Sequence, residues 1–442
     1  MQASEARRFF FLLAKEFREL MASRAFWLLL LMIGPLVGHG FITAVDTYAE
    51  ASGIAGGPAA LAQGLSPLDG IFVPTFGAYD LAVTLLFPFV AIRLVAAEKA
   101  SGAWKLLVQS PASTGSMMLA KALTLLAGWL IAWLPGLAAL LLWKLYGGTL
   151  YAPEVLNLLL GHLLRVVLAA GIAVAAGAIA NGAASAAIGA LGFTVGTWAL
   201  EFITAGRGGA LQKLASYTPT AALRVFEQGE LSLGTVLVTA AIGVAGFTLA
   251  AVWLHQGRTV RYRVAAGLAT LLVFSLFVAA AWRLRPAWDL SENRRNSFSA
   301  ADERALERIR EPLRITVFLS AEDPRLMDLD RNIFAKLARI LPAVEIVHAA
   351  HSRTGLFEAG GDHYGEVWYQ VRGRKSMTRS TTEPIVLDNL YQLAQVPSPV
   401  RGESEFPGHP LTANPRGAAW LYYAIWPLAT GLAGWVHLRV WS

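Results

Sequence analysis

Apolar runs long enough to cross a bilayer recur along the chain, separated by short polar loops and one long charged insert. About 20 apolar residues span a hydrocarbon core. On that ruler the runs at 25–45, 77–97, 118–144, 156–180, 184–204, 233–255, 262–282 and 417–438 predict eight membrane-spanning helices. The segment before the first run, 4–22 (SEARRFFFLLAKEFRELMA), is too polar to cross. In it Phe10, Leu13, Phe17, Leu20 and Met21 recur at helical spacing, with Arg7, Arg8, Lys15, Glu16, Arg18 and Glu19 mostly opposite. That pattern predicts an amphipathic helix lying in the membrane interface. The fourth and fifth runs are joined only by Asn181, Gly182 and Ala183 and are rich in Gly and Ala. Small residues let helices approach closely, which places these two inside the bundle or at a subunit interface.

The polar segments differ in kind. Residues 97–121 (AEKASGAWKLLVQSPASTGSMMLAK) cluster charge with Gly, Ser and Pro and predict one or two short helices hung between two spans. Residues 205–232 are amphipathic around a turn at Pro219 and predict either a short helix dipping into the bilayer or a plain surface loop. The insert, 283–416, reads as a small α/β domain. It has a polar helix Ala300 to Arg310, a strand 313–320, a helix Pro324 to Leu341, a strand 344–350, a hairpin around Gly373 and a closing helix Thr382 to Leu393. The expected organisation is therefore an interfacial helix (1–24), a six-span core (25–255), a seventh span (256–282), the insert, and an eighth span with a short tail (417–442). The fold class is mainly α, a polytopic helix bundle.

Charge sets the orientation. With the N-terminus inside and eight crossings, the inner short segments hold Arg7, Arg8, Lys15, Arg18, Arg24, Lys99, Lys105, Lys121, Arg258, Arg261, Arg263 and Arg439, against Lys144, Arg207, Lys213 and Arg224 outside. By the positive-inside rule both termini and the 97–121 loop are expected to be cytoplasmic and the insert extracytoplasmic. Composition agrees: 55% of residues are hydrophobic and 15% charged, and more than half of the charges lie in the insert (19 basic, 18 acidic). The net charge of +7 comes mostly from the membrane part, which suits a membrane surface better than nucleic acid. With no cysteine, disulfides, thiolate zinc sites and thiol catalysis are excluded.

The motifs of common enzymes are absent. No G-x-x-x-x-G-K-[ST] phosphate loop, H-E-x-x-H or G-x-S-x-G occurs, so no catalytic residue and no directly bound cofactor is expected. His348, His351, Asp362 and His363 are metal-capable residue types, but the two histidines near the strand end are expected on opposite faces, and no metal site is expected. Charges within apolar runs are costly and therefore informative. Arg165 stands about 13 Å along the fourth run at about 1.5 Å per residue, Glu201 near the end of the fifth, and Asp80 and Arg93 flank the second. Either all four snorkel to an interface or form structural pairs, or Arg165 and Glu201 pair and line a polar path or lateral gate.

In the 97–121 loop, Glu98-Lys99, Gly102, Leu106-Leu107 and Ser110-Pro111, with Lys121 opening the next span, resemble the E-K-x-x-G-T-x-x-x-L-L-x-S-P signature of type-2 ABC exporter permeases. Ala103 stands at the threonine position. The resemblance covers about 1–255. It implies that this loop forms coupling helices docking on a separate ATPase subunit, two copies of which carry ATP and Mg, and that the permease works as a dimer. Leu106, Leu107 and Met117 would then bury in a groove on that partner, with Glu98, Lys99 and Lys105 at the rim. Over about 283–416, Asp289 to Ser299, Glu311 to Leu319 and Gly408-His409-Pro410-Leu411 resemble the auxiliary subunit of gliding-motility-type ABC transporters, although the insert is shorter than usual there. The resemblances together imply an exporter whose ATPase drives transport, or a complex that transmits force to a periplasmic partner. An ion-coupled secondary transporter is the remaining alternative, and the inverted repeats it requires are not evident.

Overall fold

The computed structural model describes the chain except for residues 1, 56–64, 108, 111, 205–209, 256, 285, 321–322, 350–362, 402–405, 407 and 442. It divides into two compact units. The first comprises 1–199, 219–288 and 407–442, the second 200–218 and 289–406.

The first unit is a helix bundle. In chain order it contains α1 (Gln2–Met21), α2 (Arg24–Ala55), a π-helical turn (Leu68–Phe72), α3 (Val73–Leu85), α4 (Phe87–Ser101), α5 (Ala103–Leu107), α6 (Thr114–Ala132), α7 (Leu134–Leu145), α8 (Ala152–Ile179) and α9 (Ala183–Thr204), whose last turn belongs to the second unit. Next come α10 (Ala210–Ala215), also of the second unit, and α11 (Pro219–Glu227). Then follow the short strand β1 (Glu230–Ser232), α12 (Leu233–Leu254), α13 (Val260–Ala281) and the strand β2 (Ala287–Asp289), which pairs with β1.

Among the described residues seven helical stretches are long and apolar enough to cross a membrane, where eight runs are expected from sequence. They are Arg24–Gly53, Leu68–Ser101, Thr114–Leu145, Ala152–Ile179, Ala183–Glu201, Leu233–Leu254 and Val260–Ala281. The eighth run is helical over 416–441 with a π turn at Leu421–Ile425. Its Trp420, Tyr422, Tyr423, Trp426 and Pro427 lower its hydropathy below that of the other seven. Tyr422 and Trp426 pack along the first span. A Cβ at Gly34 would lie 2.0 Å from Trp426 and one at Gly38 2.3 Å from Tyr422, so glycine makes the groove that receives them. Trp426 Nε1 donates to Leu30 O at 2.6 Å and the Tyr422 hydroxyl to Pro135 O at 2.9 Å.

Prolines break the second and third spans, and side chains take up the backbone groups released. Pro88 has no N–H to offer Thr84 O, and that carbonyl accepts instead from the Thr194 hydroxyl at 2.9 Å. At Pro135 the Tyr79 hydroxyl is inserted into the ladder, donating to Ala132 O at 3.0 Å and accepting from Gly136 N at 2.8 Å. Each kink thus has a local cause.

The Gly/Ala-rich fourth and fifth spans behave differently from one another. In α8, 72% of the apolar window is buried. It meets α12 backbone to backbone, since a Cβ at Gly171 would lie 2.1 Å from Gly243 O and one at Gly246 2.3 Å from Gly171 C. In α9 only 17% is buried, with Ser185, Gly189, Gly192 and Gly196 on an exposed face. Of the two placements expected, inside the bundle or at a subunit interface, the interior one holds for α8 and not for α9, whose small residues leave an open stripe.

The second unit holds α14 (Ala300–Leu306), β3 (Leu313–Val317), α15 (Pro324–Leu329), a π turn (Asp330–Phe334), α16 (Ala335–Ile340), β4 (Val344–His348), β5 (Val367–Val371), β6 (Arg374–Thr378) and α17 (Glu383–Ala394). The sheet order is β4-β3-β5-β6, with β3 and β4 parallel and the other pairs antiparallel. Alternation is clean. Leu313, Ile315 and Val317, with Val367, Tyr369 and Val371, pack under Val386, Leu387, Leu390 and Tyr391. Arg372 (φ 51°) and Gly373 (φ 78°) form the two-residue turn, the twist that a tight hairpin needs. The α/β layer expected from sequence is present.

Two carboxylates pin this unit. Asp323 caps α15 and binds the Arg325 guanidinium at 2.7 and 3.1 Å and the Tyr364 hydroxyl at 2.9 Å. The Arg325 bonds outweigh its burial and pull its pKa from 3.8 down to about 2. Arg401 grips Asp388 and Asp302, and its bonds, with one from Ser398, hold the Asp388 carboxyl below its ordinary value. Depressed acid pKa values contribute stability that is complete above the unfolded value, near pH 4, and is lost as pH falls through the folded value. Pulsed hydrogen exchange on the intact chain should show 324–334 losing protection between about pH 4 and about pH 2, and 383–401 losing it as the pH falls below about 4.

Candidate functional site

One end of the bundle gathers the starts of α2, α6, α9 and α13 and the ends of α4, α8 and α12. The helix α4 stops there because Gly102 takes a left-handed conformation (φ 77°), which glycine adopts without a Cβ penalty. The short helix α5 starts at the next residue. Its inner side is fixed by Trp104, buried, whose Nε1 donates to Leu254 O at the end of α12 at 3.2 Å. Its outer side presents Lys105 and Leu106, the latter 70% exposed. Leu107 is half-buried against the bundle's own core. Gln109 and Ser110 are exposed, and the Ser110 hydroxyl donates to Leu107 O at 2.6 Å. Pro111 lies outside the described residues. Ser113 then caps α6, accepting from Ser116 N at 3.1 Å.

Behind this exposed turn is a buried ionic clamp. Lys121, fully buried in the first turns of α6, donates to Glu16 Oε2 of α1 at 2.7 Å and to Leu94 O of α4 at 2.8 Å, and lies 2.8 Å from Glu98 Oε2. Two of the ammonium's donors thus make hydrogen bonds, and Glu98 adds an ion pair. Lys15 joins the group from its open side, pairing with Glu98, with Glu16 at 3.0 Å and with Glu19 at 3.1 Å. Burial lifts the Glu16 carboxyl above its ordinary range, against the pull of Lys121. Burial opposes the Lys15 charge, but the three glutamates outweigh it and hold that ammonium above the usual lysine value. Oxygens of Glu16, Glu19 and Glu98 come within 4.8 Å of one another, and Lys15 and Lys121 pair with them.

Lys99 forms a second tie. Its ammonium donates to Gly177 O, Ala178 O and Ala180 O at 3.1, 2.7 and 2.6 Å. It caps the carbonyls left open at the end of α8, where a cation also meets the favourable end of the helix dipole. Three expectations are corrected here. Glu98 and Lys99 are not rim groups facing a partner, since one is buried in the clamp and the other is spent on α8. Met117 is buried in the core of the chain itself. Glu16 sits on the inner face of α1, not on its polar side, because Lys121 provides its counter-charge. Trp104 and Lys121 carry the geometry although sequence alone marked them only as neighbours of the motif. A tryptophan two residues after the helix-stopping glycine was the available signal.

A separate polar group lies within the bundle. Arg165 is 1% exposed near the midpoint of α8. Its Nε donates to Asp80 Oδ1 at 2.9 Å and its Nη2 to the Thr84 hydroxyl at 3.0 Å. Its partner is thus Asp80 and not Glu201, which accepts from the Thr218 hydroxyl at 3.1 Å. Asp80 and Arg93 both lie inside the second span, which begins nine residues before the run read from sequence. His162, one turn from Arg165, is buried between Phe76 and Tyr79. His348 is exposed, and His363 Nδ1 lies 3.0 Å from Glu366 Oε2. His351 and Asp362 are outside the described residues. Among the described residues neither histidine joins a three-ligand group.

Comparison with protein-family models, with curated proteins and with solved structures finds no match for this chain.

Proposed function

We propose that this protein is the membrane-spanning permease subunit of an ATP-binding cassette exporter, driven by a separate ATPase subunit that docks on α5. The observation that carries the reading is the two-sidedness of the turn at Gly102. Lys105, Leu106, Gln109 and Ser110 face outward without a covering element, while Trp104, Glu98 and Lys99 fasten the same turn to α1, α6, α8 and α12. A partner gripping the outer side would move the ends of four helices together. That is what coupling of nucleotide-driven closure to a change between inward and outward states requires.

The orientation that fits places both termini and this turn in the cytoplasm of a bacterial cell, with the 289–406 unit across the inner membrane. ATP and Mg belong to the two ATPase copies. The exposed Ser185–Gly189–Gly192–Gly196 stripe of α9 suits close approach by a second copy of the chain, giving a homodimer with two ATPases. The second unit favours one variant of the reading. It has its own core and its own ion pairs, so it is suited to transmit movement to a periplasmic partner protein.

Leu106→Asp tests the proposal. The side chain is exposed, so insertion and folding should be unchanged, while a charge placed in an apolar groove costs a partner about 2–4 kcal/mol. The wild-type chain purified from its own membranes should carry an ATP-hydrolysing subunit, and the variant should lose at least about tenfold of it. Equal recovery from both would refute docking through α5.

A further inference from the structure

Arg93 lies inside the second span, about eight residues before its end at Ser101 and so about 12 Å along the axis at about 1.5 Å per residue. Lys99, Lys121 and Arg165 each meet protein oxygens. Among the described residues Arg93 meets none; it is exposed, without hydrogen bond or ion pair. A guanidinium left unpaired at that depth is costly, and its long side chain turns toward whatever polar surface is in reach.

That surface is a cleft of about 550 Å³ at the end of the bundle described above. One wall is a single stripe of α4, Phe89, Ile92, Arg93 and Ala96. The other is made by small residues at the junction of α8 and α9, Gly177 and Ala187 among them. Small side chains leave the room, and an apolar lining suits an acyl chain. Arg93 and Lys99 are the charged residues of the lining, and no acidic side chain joins them. A zwitterionic headgroup would therefore find Arg93 for its phosphate and nothing for its ammonium, whereas an anionic headgroup brings no ammonium to leave unanswered; Lys99, spent on the α8 carbonyls, adds only a positive field.

We propose that the cleft is a binding site for an anionic phospholipid, with the phosphate on Arg93 near Lys99 and the start of an acyl chain against Phe89, Ile92 and Ala96. The lipid would sit between α4 and the α8–α9 junction, where it ties together helices that the Lys99 cap already links.

The test is native mass spectrometry of the detergent-solubilised full chain incubated with phosphatidylglycerol or phosphatidylcholine. The wild type should retain phosphatidylglycerol in preference. Arg93→Gln should reduce that preference about tenfold, the loss of one charge-assisted contact, and Arg93→Lys should keep most of it. Ala97→Phe, at an exposed position lining the same cleft, should weaken retention of phosphatidylglycerol with both cations intact. A wild-type preference in Arg93→Gln would overturn the proposal. So would displacement of the lipid by soluble glycerophosphoglycerol or inorganic phosphate, which would make this a phosphate site without a lipid.

Discussion

Replacing Lys121 with methionine is expected to release α1 from the bundle. Lys121 is fully buried and bonds α1, through Glu16, to α4, through Leu94 O and Glu98. Methionine fills similar space without a charge. The Glu16 and Glu98 carboxylates would then remain buried, answered by Lys15 alone, which is a third exposed. Breaking a buried pair from one side costs about 3–5 kcal/mol, so amide exchange across 5–21 should accelerate by about a hundredfold or more. The triple variant Glu16→Gln, Glu98→Gln, Lys121→Met should recover most of the loss, because replacing a whole buried ionic group is far cheaper than orphaning half of it. If the single and triple variants exchange alike, the clamp is packing and not charge.

Gly171→Val is expected to be as damaging for a different reason. Its Cβ position lies 2.1 Å from a main-chain oxygen of α12, and the reciprocal positions at Gly243 and Gly246 lie 2.8 and 2.3 Å from atoms of α8. No flexible side chain can give way, so the two helices must part. Overpacking costs 1–3 kcal/mol where side chains can adjust; here the cost should reach about 3 kcal/mol or more. It should appear as a lowered midpoint of thermal unfolding in detergent, while Gly196→Val, on the open face of α9 with nothing within 4 Å, leaves the isolated chain unchanged.

Much of this architecture was legible from residue pattern. Hydropathy located the helices because a bilayer demands about 20 apolar residues whatever their neighbours, and period-two alternation located β3 and β5 because one face of their sheet is buried. Element ends were less legible. The second span begins at Leu68, since Pro74 and Pro88 are tolerated where Thr194 and the π turn absorb their effects. The site was legible in part. Gly102 marks the end of α4 by residue type alone. The roles of Glu98 and Lys99 were not legible, because a charge at the end of a span reads as solvent-facing until its counter-charge is known. Glu98 meets Lys121 from 23 residues away and Lys99 meets carbonyls some 80 residues away. Pairings over such separations leave no local trace. The Arg165–Asp80 pair is of the same kind.

The most direct measurement of coupling uses the absence of cysteine from this chain. Leu106→Cys would carry the only thiol of the subunit, on an exposed position of α5. Photo-cross-linking from that thiol in native membranes, followed by mass spectrometry of the product, should join the chain to a subunit bearing an ATP-binding cassette, with a yield that changes when ATP is added. A product containing only lipid or a second copy of the chain, from membranes in which the variant is functional, would contradict docking of an ATPase on this turn.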